Sequence, residues 1–474
     1  MLWLYRNNPE LCNESLDDSK FEFGKNVGDL ARNIFGEHKT IEFNNDIQKM
    51  ADDTQTLLDL NTKIICEASF NYDGLFCAVD ILKNNGNKEI ELYEVKSSTG
   101  VKDIYKEDIS YQYYVLTSLG YKVTKACIVY INNKYVRHGD LDLNKLFAIK
   151  DCTSYVKTNF NKTEKRINDF REVLLHTDEP NVDLGKYCTK PYKCGFWEYC
   201  TKDLVKPNVF DVANLKNSFD LYDDGIVSFD QLFDSKRLNH NQNMQVDWEV
   251  NKRSSFIDKE YINDFLNTLY YPLYFLDFET YQSPIPQFDN SQPYEQITFQ
   301  YSLHYYLEKD GELFHKEYLA YPGNDPRRGL AERLCEDIPL NSCVLAYNMS
   351  FEKSRIKKLA ELYPDLSDHL TNIHDHILDL MIPFQKKKYY DNEFKGSYSI
   401  KKVLPALFPG DPSLDYHNLE GVHHGGEASK TFIDMSNMNE KEIKDARKNL
   451  LAYCCLDTYA LVKILDKLYS YIDD

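Results

Sequence analysis

The octapeptide YFLDFETY, residues 274–281, decides how the C-terminal half of the chain is interpreted. Its apolar and aromatic residues predict a buried β-strand, yet the strand carries two acids, Asp277 and Glu279, two positions apart. Residues i and i+2 of a strand point to the same face, so the two carboxylates project together. Carboxylates held side by side repel each other unless a cation shares them. A strand end where both acids simply reach solvent is the alternative interpretation of this motif.

Two later segments supply further acids. AYNMSFEKSRI, residues 346–356, places Glu352 at the start of a predicted helix that follows a short apolar strand. AYCCLDTYALVKIL, residues 452–465, has the pattern of an amphipathic helix and spaces Tyr453 and Asp457 four residues apart. That spacing sets both side chains on one helical face. Three separated segments thus offer four carboxylates and one phenol to a shared site.

These segments resemble the three motifs of DEDD-type 3′–5′ exonucleases of the RNase H fold, in the tyrosine subclass. The middle acid of that family is normally an aspartate, and this chain has Glu352 there. The resemblance implies two Mg²⁺ or Mn²⁺ ions about 4 Å apart that clamp the scissile phosphate, with Tyr453 orienting the attacking water. The implied metal ligands are Asp277, Glu279, Glu352 and Asp457. We interpret Asp379, in HILDLM, as a helix cap or solvent-exposed acid rather than a supporting ligand.

A second charged group lies in GLFCAVDILKNNGNKEIELYEVKSS, residues 74–98. The pattern predicts two strands joined by a tight Asn-Gly turn, with Asp80 on the first strand. Glu94 and Lys96 lie on the second strand and face the same way. Paired carboxylates can bind a metal ion, and an ammonium group can position water or neutralise charge on a phosphate. Charges on the solvent face of a hairpin are the alternative.

This second group resembles the signature of PD-(D/E)XK nucleases, which makes its two carboxylates metal ligands and Lys96 a catalytic residue. Glu67, Gln112 and the segment GKNVGDLARNIFG (24–36) extend the resemblance to the RecB-type branch of that superfamily. In that branch a glutamine orders the site, and we expect Gln112 to open the helix after the hairpin. The branch has a tyrosine four residues later, where this chain has Leu116.

Cys188, Cys194 and Cys200 follow one another at C-x5-C-x5-C spacing. Structural zinc sites use closer cysteine pairs, so this spacing fits zinc poorly. Three late cysteines of this kind resemble those of iron–sulfur-bearing RecB-type nucleases, and the resemblance implies a [4Fe–4S] cluster. Its fourth ligand is not identified: a true start upstream of Met1 is our expectation, and Cys12 is the alternative. Three free thiols in a loop, with no cluster, are the third interpretation.

Length, composition and charge limit the classes of partner. The 474 residues predict two or three domains, and 42% apolar residues are enough for real cores. The net charge of -19 repels polyanions, so a nucleic-acid site must be a local basic or metal-loaded groove. The sequence has neither a run of eighteen apolar residues nor a signal-peptide pattern, which favours a cytoplasmic protein without membrane contact. The twelve cysteines should stay reduced in that compartment.

The predicted fold class is α/β with two mixed-sheet domains. We expect a RecB-type PD-(D/E)XK nuclease-like domain with the cysteine cluster at 1–204 and an RNase H-like domain of the DnaQ exonuclease type at 271–474. A small helical segment, 205–270, joins them. The whole chain resembles a bacterial family of uncharacterised proteins that fuses two such domains.

The function expected from these resemblances is metal-dependent hydrolysis of DNA. It would act 3′–5′ on single-stranded ends, in DNA repair or in processing foreign DNA, with RNA as a further candidate substrate. Tyr294, Phe299 and Tyr301 are candidates for stacking on bases, with core packing as the alternative. A second hypothesis is a nucleic-acid-binding scaffold in which one or both nuclease sites are inactive. The sequence predicts neither protein partners nor an oligomeric state.

Overall fold

The protein is described by a computed structural model that covers residues 1–13 and 18–473. It has α/β structure with mixed sheets and divides into two compact units. The N-terminal unit contains Met1–Lys202 and Ser283–Glu295, and the C-terminal unit contains Asp203–Gln282 and the chain from Gln296 onward. Within the described residues, no helix combines the length and the apolar character that a membrane crossing requires.

The N-terminal unit is built on a mixed sheet. Among its described residues the strands follow one another in the order β1-β2-β3-β4-β5-β6. The β1–β2 and β4–β5 pairs are parallel and the other neighbours are antiparallel. The strands are β1 (Lys39–Thr40), β2 (Ile64–Tyr72), β3 (Leu75–Gly86), β4 (Glu89–Lys96), β5 (Lys122–Ile131) and β6 (Phe147–Asp151). The helices are α1 (Leu2–Asn7), α2 (Asp18–Arg32), α3 (Ile47–Asp59), α4 (Asp103–Ser118), α5 (Leu143–Leu146), α6 (Thr153–Thr158), α7 (Phe160–Leu175) and α8 (Trp197–Cys200).

The hairpin between β3 and β4 turns at Asn87 and Lys88, because Gly86 is already paired with Glu89. Both turn residues have positive φ, 50° and 58°, as the tight turns that match strand twist require. The predicted Asn-Gly turn is therefore wrong by two residues, although the two strands are where the sequence places them. The correct register sets Asp80 and Glu94 on neighbouring strands, since Ile81 pairs with Tyr93.

Helix α4 connects the parallel strands β4 and β5 and buries one side of the sheet. Ile109, Val115 and Leu116 of this helix are fully buried in a core with Val79 and Leu92 of the sheet. A parallel pair needs such a crossover, which brings a helix against the sheet beside the carboxyl end of β4. The candidate residues at that end of β4 are therefore covered by α4.

The C-terminal unit contains a five-stranded sheet with the order β10-β9-β8-β11-β12 among its described residues. Strands β10, β9 and β8 are antiparallel neighbours, and β8, β11 and β12 are parallel. The strands are β7 (Phe256–Ile257), β8 (Leu273–Tyr281), β9 (Ile297–Tyr306), β10 (Leu313–Leu319), β11 (Cys343–Ala346), β12 (Ile377–Asp379) and β13 (Tyr389–Tyr390). The helices are α9 (Ser218–Asp223), α10 (Phe229–Ser235), α11 (His240–Val250), α12 (Lys259–Leu266), α13 (Arg327–Asp337), α14 (Ser350–Leu362), α15 (Ser367–Asp375), α16 (Ile382–Gln385), α17 (Ile400–Leu407), α18 (Gly425–Asp434) and α19 (Glu440–Asp473).

Alternation along β8 explains the two faces of this sheet. Tyr274, Leu276 and Phe278 pack in a core that also contains residues of α13, α14 and α15. Leu273 and Phe275 pack on the opposite face with residues of α12, α17 and α19. Helices therefore cover both faces, which is why this strand carries apolar residues at successive positions.

Residues 205–270, predicted as a linker, contribute to the C-terminal unit. Met244 of α11 and Ile262 of α12 are buried in the same core as Phe275 of β8. Leu221 of α9 and Phe229 of α10 pack in one apolar cluster, and α10 begins with a capping box made by Ser228 and Gln231. This segment is therefore folded against its unit.

Candidate active site

Carboxylates from β8 and α19 converge in the C-terminal unit. Oxygen atoms of Asp277, Glu279 and Asp457 all lie within 4.8 Å of one another. Asp277 and Glu279 occupy the same alternating positions of β8 as Leu273 and Phe275. Their side chains therefore lie on the face of the sheet that packs against α19, opposite to α14. Glu279 is buried, and the other two acids are half-buried. The structure thus brings these three acids together from two distant segments.

The pKa values of the three acids lie above their usual ranges. Burial is the largest cause for Asp277, whose pKa lies well above its usual range, and the charges of Asp457 and Glu279 add to it. Burial and Asp457 likewise raise the pKa of Glu279 well above its usual range. Burial raises the pKa of Asp457 to about 7, against the opposing charge of Lys401. A cation bound by all three carboxylates would offset the electrostatic repulsion between them.

Two tyrosines lie beside Asp457. The Tyr416 hydroxyl donates to Oδ1 of Asp457 at 2.6 Å, and the nearby Tyr453 hydroxyl lowers the pKa of the same carboxylate. The two rings lie 5.7 Å apart, centroid to centroid. Burial and the charge of Asp457 raise the pKa of both hydroxyls, so both stay protonated. Tyr416 was not found from the sequence because it lies in an irregular loop, DPSLDYHN, with no motif or period.

Glu352 lies in the first turn of α14 and is buried. Its carboxylate is outside the 4.8 Å group, although its charge contributes to the raised pKa of Asp277. Burial raises the pKa of Glu352 to about 8, and nearby Asp379 adds to this. Its Oε2 is buried without a hydrogen-bond partner. A buried, unpartnered carboxylate oxygen is costly, which suits a side chain that receives a cation.

Asp379 holds the loop that leads into α14. Its carboxylate accepts backbone N–H groups of Asn348 at 2.9 Å, Met349 at 3.2 Å and Met381 at 2.9 Å. Asn348 has a φ of 71°, a conformation that such bonds help to maintain. Asp379 is buried, so the solvent-exposed alternative is wrong and the capping alternative describes its contacts.

A cavity of about 590 Å³ adjoins Asp457 on the α19 side. Its apolar wall includes Leu404 and Phe408, and Lys401 and His423 supply polar groups. Tyr416, Tyr453 and Asp457 line the same space. Cavities of this size and mixed lining are typical of small-ligand sites. Lys401 and His423 were not singled out in the sequence.

The aromatic residues proposed to stack on bases have other contacts. Phe299 and Tyr301 are fully buried, and Phe299 stacks on Phe432 with 4.1 Å between ring centroids. The Tyr301 hydroxyl donates to Asp337 at 2.7 Å. In the N-terminal unit, the Tyr294 hydroxyl donates to the backbone carbonyl of Ser97. The stacking prediction is wrong for the two buried residues, because alternation along β9 points them into the core.

Three of the predicted residues of the N-terminal unit, Glu94, Lys96 and Gln112, are linked by hydrogen bonds. The Lys96 ammonium donates to Glu94 Oε1 at 2.7 Å and to Asp108 Oδ2 at 2.6 Å. Gln112 donates its amide to Glu94 Oε2 at 2.6 Å. Asp80 Oδ2 accepts the backbone N–H of Val95 at 2.6 Å. Gln112 lies inside α4 and does not open it, so that detail of the sequence prediction is wrong.

Charge is partly balanced in this network. Burial and the charge of Glu94 raise the pKa of Asp80 well above its usual range. Burial also raises the pKa of Glu94, against the opposing charge of Lys96. Burial lowers the pKa of Lys96, but Glu94 and Asp108 outweigh it and the pKa is raised. Asp108 was missed, although it precedes Gln112 by four residues on one helix and the spacing was a usable signal.

Glu67 is tied to a basic partner. Its carboxylate accepts from Arg32 at 2.5 Å, and Arg32 also pairs with Asp29 at 2.9 Å. Glu67 has a φ of 54° within β2, and the ladder skips from Cys66 to Ala68 at this point. Cys66 and Ala68 keep the same register with Ile81 and Val79, so β2 has no extra residue here and only the backbone of Glu67 departs from strand geometry.

The three late cysteines lie near one another. Burial is the largest cause that raises the pKa of Cys200, and Cys194 and Cys188 add to it. Their sulfur atoms do not form a group within 4.8 Å in the described chain, as a single shared ion would require. Three thiols from one segment remain a suitable donor set for a larger cluster.

Cys12 lies next to this segment. The backbone N–H of Asn13 donates to the carbonyl of Gly195 at 2.9 Å, and Tyr5 packs on Phe196 at 4.8 Å between ring centroids. The charge of the Met1 amino group also reaches Cys200 and lowers its pKa slightly against the other causes. Cys12 and the Met1 amino group are therefore close to the late cysteines.

The family described as "Domain of unknown function (DUF2779)" matches residues 274–399, which include Asp277, Glu279 and Glu352 but not Asp457. No solved structure matches the chain at a significant level.

Two curated relatives align with part of the chain. It is 29% identical over 164 residues to "Uncharacterized protein UU173" of Ureaplasma parvum, which covers 32% of this chain and 23% of that protein. It is 26% identical over 209 residues to "Uncharacterized protein MG366" of Mycoplasma genitalium, which covers 40% of this chain and 31% of that protein. The chain thus matches about a quarter to a third of the length of these relatives.

Proposed function

We propose that the protein is a metal-dependent nuclease that hydrolyses phosphodiester bonds of DNA at the acids of β8 and α19. One observation carries this proposal: Asp277, Glu279 and Asp457 hold their carboxylate oxygens within 4.8 Å of one another inside the protein. Buried carboxylates that repel one another are typical of functional sites, and a divalent cation shared by them relieves the repulsion.

The residues present fit a hard divalent cation. Carboxylate oxygens are the ligands that Mg²⁺ and Mn²⁺ prefer, and the buried Oε2 of Glu352 has no other partner. Asp277, Glu279 and Asp457 would hold the ions, and Glu352 would complete the set. When bound, the ions supply Lewis acidity toward a phosphate and lower the pKa of bound water.

The chain's own groups would orient the reaction. Tyr416 would fix the Asp457 carboxylate by its hydrogen bond, Tyr453 lies beside the same carboxylate, and neither hydroxyl ionises at neutral pH. The adjoining cavity, about 590 Å³, is large enough for one terminal nucleoside against Leu404 and Phe408. Lys401 in the same wall would face phosphate charge. A site that holds one terminal nucleoside favours cleavage from an end, and the resemblance supplies the 3′–5′ direction and the single-stranded substrate.

We extend the proposal to the folds of both units. The mixed sheet with acids at the carboxyl end of β8 supports an RNase H-like C-terminal unit. In the N-terminal unit, Asp80 and Glu94 on adjacent strands with Lys96 nearby support a PD-(D/E)XK-like arrangement. The three clustered cysteines support a [4Fe–4S] cluster, and Cys12 is a candidate for its fourth ligand. The cytoplasm is the proposed compartment, because none of the twelve cysteines is paired in a disulfide.

A DNA-binding role without cleavage is the second candidate for the N-terminal unit. The observation that favours it is the network around Glu94, whose two oxygens already accept hydrogen bonds from Lys96 and Gln112. A metal ion would have to compete with both donors. The unit would then hold the substrate while the C-terminal unit cleaves it.

A cleavage assay with paired variants tests these roles. Purified protein is incubated with end-labelled single-stranded DNA and Mg²⁺ or Mn²⁺. We expect cleavage from the 3′ end that Asp277→Asn abolishes and the exposed control Asp368→Asn leaves unchanged. Asp80→Asn separates the two candidates for the N-terminal unit, since unchanged cleavage assigns it to binding. Wild-type protein that binds DNA but never cleaves it would refute the nuclease proposal and leave the scaffold.

A further inference from the structure

Two histidines and a cysteine converge away from the carboxylates. A ring nitrogen of His304, a ring nitrogen of His315 and the sulfur of Cys455 lie within 4.8 Å of one another. His304 is buried in β9, His315 is exposed on β10, and Cys455 is half-buried on α19. None of these side chains takes part in the proposed nuclease chemistry.

The register of the sheet brings the two rings together. His304 and His315 are direct partners in the antiparallel β9–β10 ladder, and their ring centroids are 4.5 Å apart. Direct cross-strand partners point to the same face, and α19 packs over that face. Cys455 of α19 therefore lies against the two histidine rings. Because β10 is an edge strand of the sheet, His315 is open to solvent.

Hydroxyl groups fix the orientation of both rings. His304 Nδ1 bonds to Thr458 Oγ1 at 2.8 Å, and His315 Nε2 bonds to Ser302 Oγ at 2.9 Å. The two hydroxyls also bond to each other at 2.7 Å. Each ring thus uses one nitrogen for a hydrogen bond, which leaves its second nitrogen as the atom that could bind a metal ion. Metal-binding histidines have this arrangement, because the bonded nitrogen sets the tautomer and the ring direction.

The surroundings leave room for a fourth ligand. A cavity of about 500 Å³ is lined by His304, Cys455 and Tyr459 together with Pro412 and Leu419 of the neighbouring loop. Two imidazoles and one thiolate plus an open position form the donor set of a tetrahedral zinc site. Nitrogen and sulfur donors select borderline metals, whereas the all-oxygen group at Asp277 selects Mg²⁺ or Mn²⁺.

We propose that His304, His315 and Cys455 bind a Zn²⁺ ion at a site separate from the carboxylates. The ion would clamp strands β9 and β10 to helix α19, which also carries Tyr453 and Asp457. The proposal does not depend on nuclease activity, because it rests on donors that the nuclease site does not use.

Co²⁺ is the probe for this site, because a cobalt–thiolate bond gives a strong near-ultraviolet absorption that oxygen ligands do not. Metal-free full-length protein is titrated with Co²⁺ in millimolar Mg²⁺, and Zn²⁺ is then added to displace it. We expect saturable absorption that Cys455→Ser removes. Ser302→Ala should weaken Co²⁺ binding ~10-fold, as loss of a bond that orients a ligand does.

The controls separate this site from the other metal-binding candidates. Cys335→Ser, a half-buried cysteine of α13, should keep the full absorption, and so should Asp277→Asn. The difference between wild type and Cys455→Ser removes any contribution of Cys188, Cys194 and Cys200. His315→Gln alters an exposed side chain, so the variant should fold normally. Its affinity for Co²⁺ should nevertheless fall at least ~10-fold, because one ligand is lost. The proposal is overturned if Cys455→Ser and His315→Gln both bind Co²⁺ as the wild type does.

Discussion

The hydroxyl of Tyr416 donates a 2.6 Å hydrogen bond to Oδ1 of Asp457, an acid that lies within 4.8 Å of two others. This bond opposes the effect of burial and helps to limit the pKa of Asp457 to about 7. Tyr416 comes from a loop that also lines the adjoining cavity. It thereby links the wall of the proposed nucleoside pocket to a proposed metal ligand.

Replacing Tyr416 with phenylalanine should lower kcat about tenfold and leave KM for DNA nearly unchanged. The hydrogen bond to a charged group contributes about 1.5 kcal/mol, which is about tenfold in rate if it is needed to orient Asp457. The ring is kept, so the pocket wall is preserved. Initial rates at several DNA concentrations measure both parameters. Tyr321→Phe, at an exposed tyrosine, is the control, and an unchanged kcat for Tyr416→Phe would remove this role.

Replacing Lys96 with methionine should destabilise the N-terminal unit by ~2 kcal/mol at neutral pH. The change leaves Glu94, whose side chain is only 8% exposed, with Gln112 but without its cation. Urea unfolding measures the loss. The double variant Lys96→Met with Glu94→Gln should recover most of it, because no buried charge then lacks a partner. A double variant less stable than Lys96→Met would contradict this account.

Local periodicity was enough to find most of the carboxylates. Asp277 and Glu279 share a strand face by their spacing of two, and Tyr453 and Asp457 share a helix face by their spacing of four. The sequence also placed Glu352 at a helix start, where α14 begins at Ser350. These relationships depend only on residues close in the chain, so a single sequence contains them.

Relationships that depend on strand register or loop path were not predictable. His304 and His315 lie opposite each other because of the β9–β10 register, which cannot be predicted from the sequence alone. Tyr416 reaches Asp457 through an irregular loop. Phe299 and Tyr301 look suitable for stacking as residue types, but the burial of β9 between helices places them in the core. Tertiary packing decides each of these positions.

Replacing Lys387 with methionine should stabilise the protein at pH 7 by ~1–2 kcal/mol. Burial lowers the pKa of Lys387 to about 8, so at neutral pH the folded state carries a poorly solvated charge. Its bond to the Gly396 carbonyl, 3.1 Å, offsets only part of that cost. The unfolded state binds more protons between about pH 8 and the ordinary value of 10.5, so wild-type stability gains from this group as pH rises there.

Urea unfolding of the Lys387→Met variant and the wild type at pH 7 and pH 9.5 measures this difference. The advantage of the variant should shrink at the higher pH, because wild-type Lys387 is then neutral in the folded state. Lys353→Met, at a half-buried lysine of α14, is the control and should show no such pH dependence. An advantage that is equal at both pH values would show that packing, and not charge, is the cause.

Replacing Asp277 with asparagine should abolish cleavage and raise the stability of the metal-free protein by ~1–3 kcal/mol at pH 7. Burial and the neighbouring acids raise the pKa of Asp277, so the folded state binds more protons than the unfolded state. Stability from this group is therefore present below the usual carboxyl pKa of 3.8 and is lost as pH rises through the folded value. Thermal unfolding in EDTA measures the gain, and millimolar Mn²⁺ should stabilise the wild type more than the variant. A metal-free variant less stable than the wild type would mean that Asp277 has a structural partner instead of a repulsive neighbourhood.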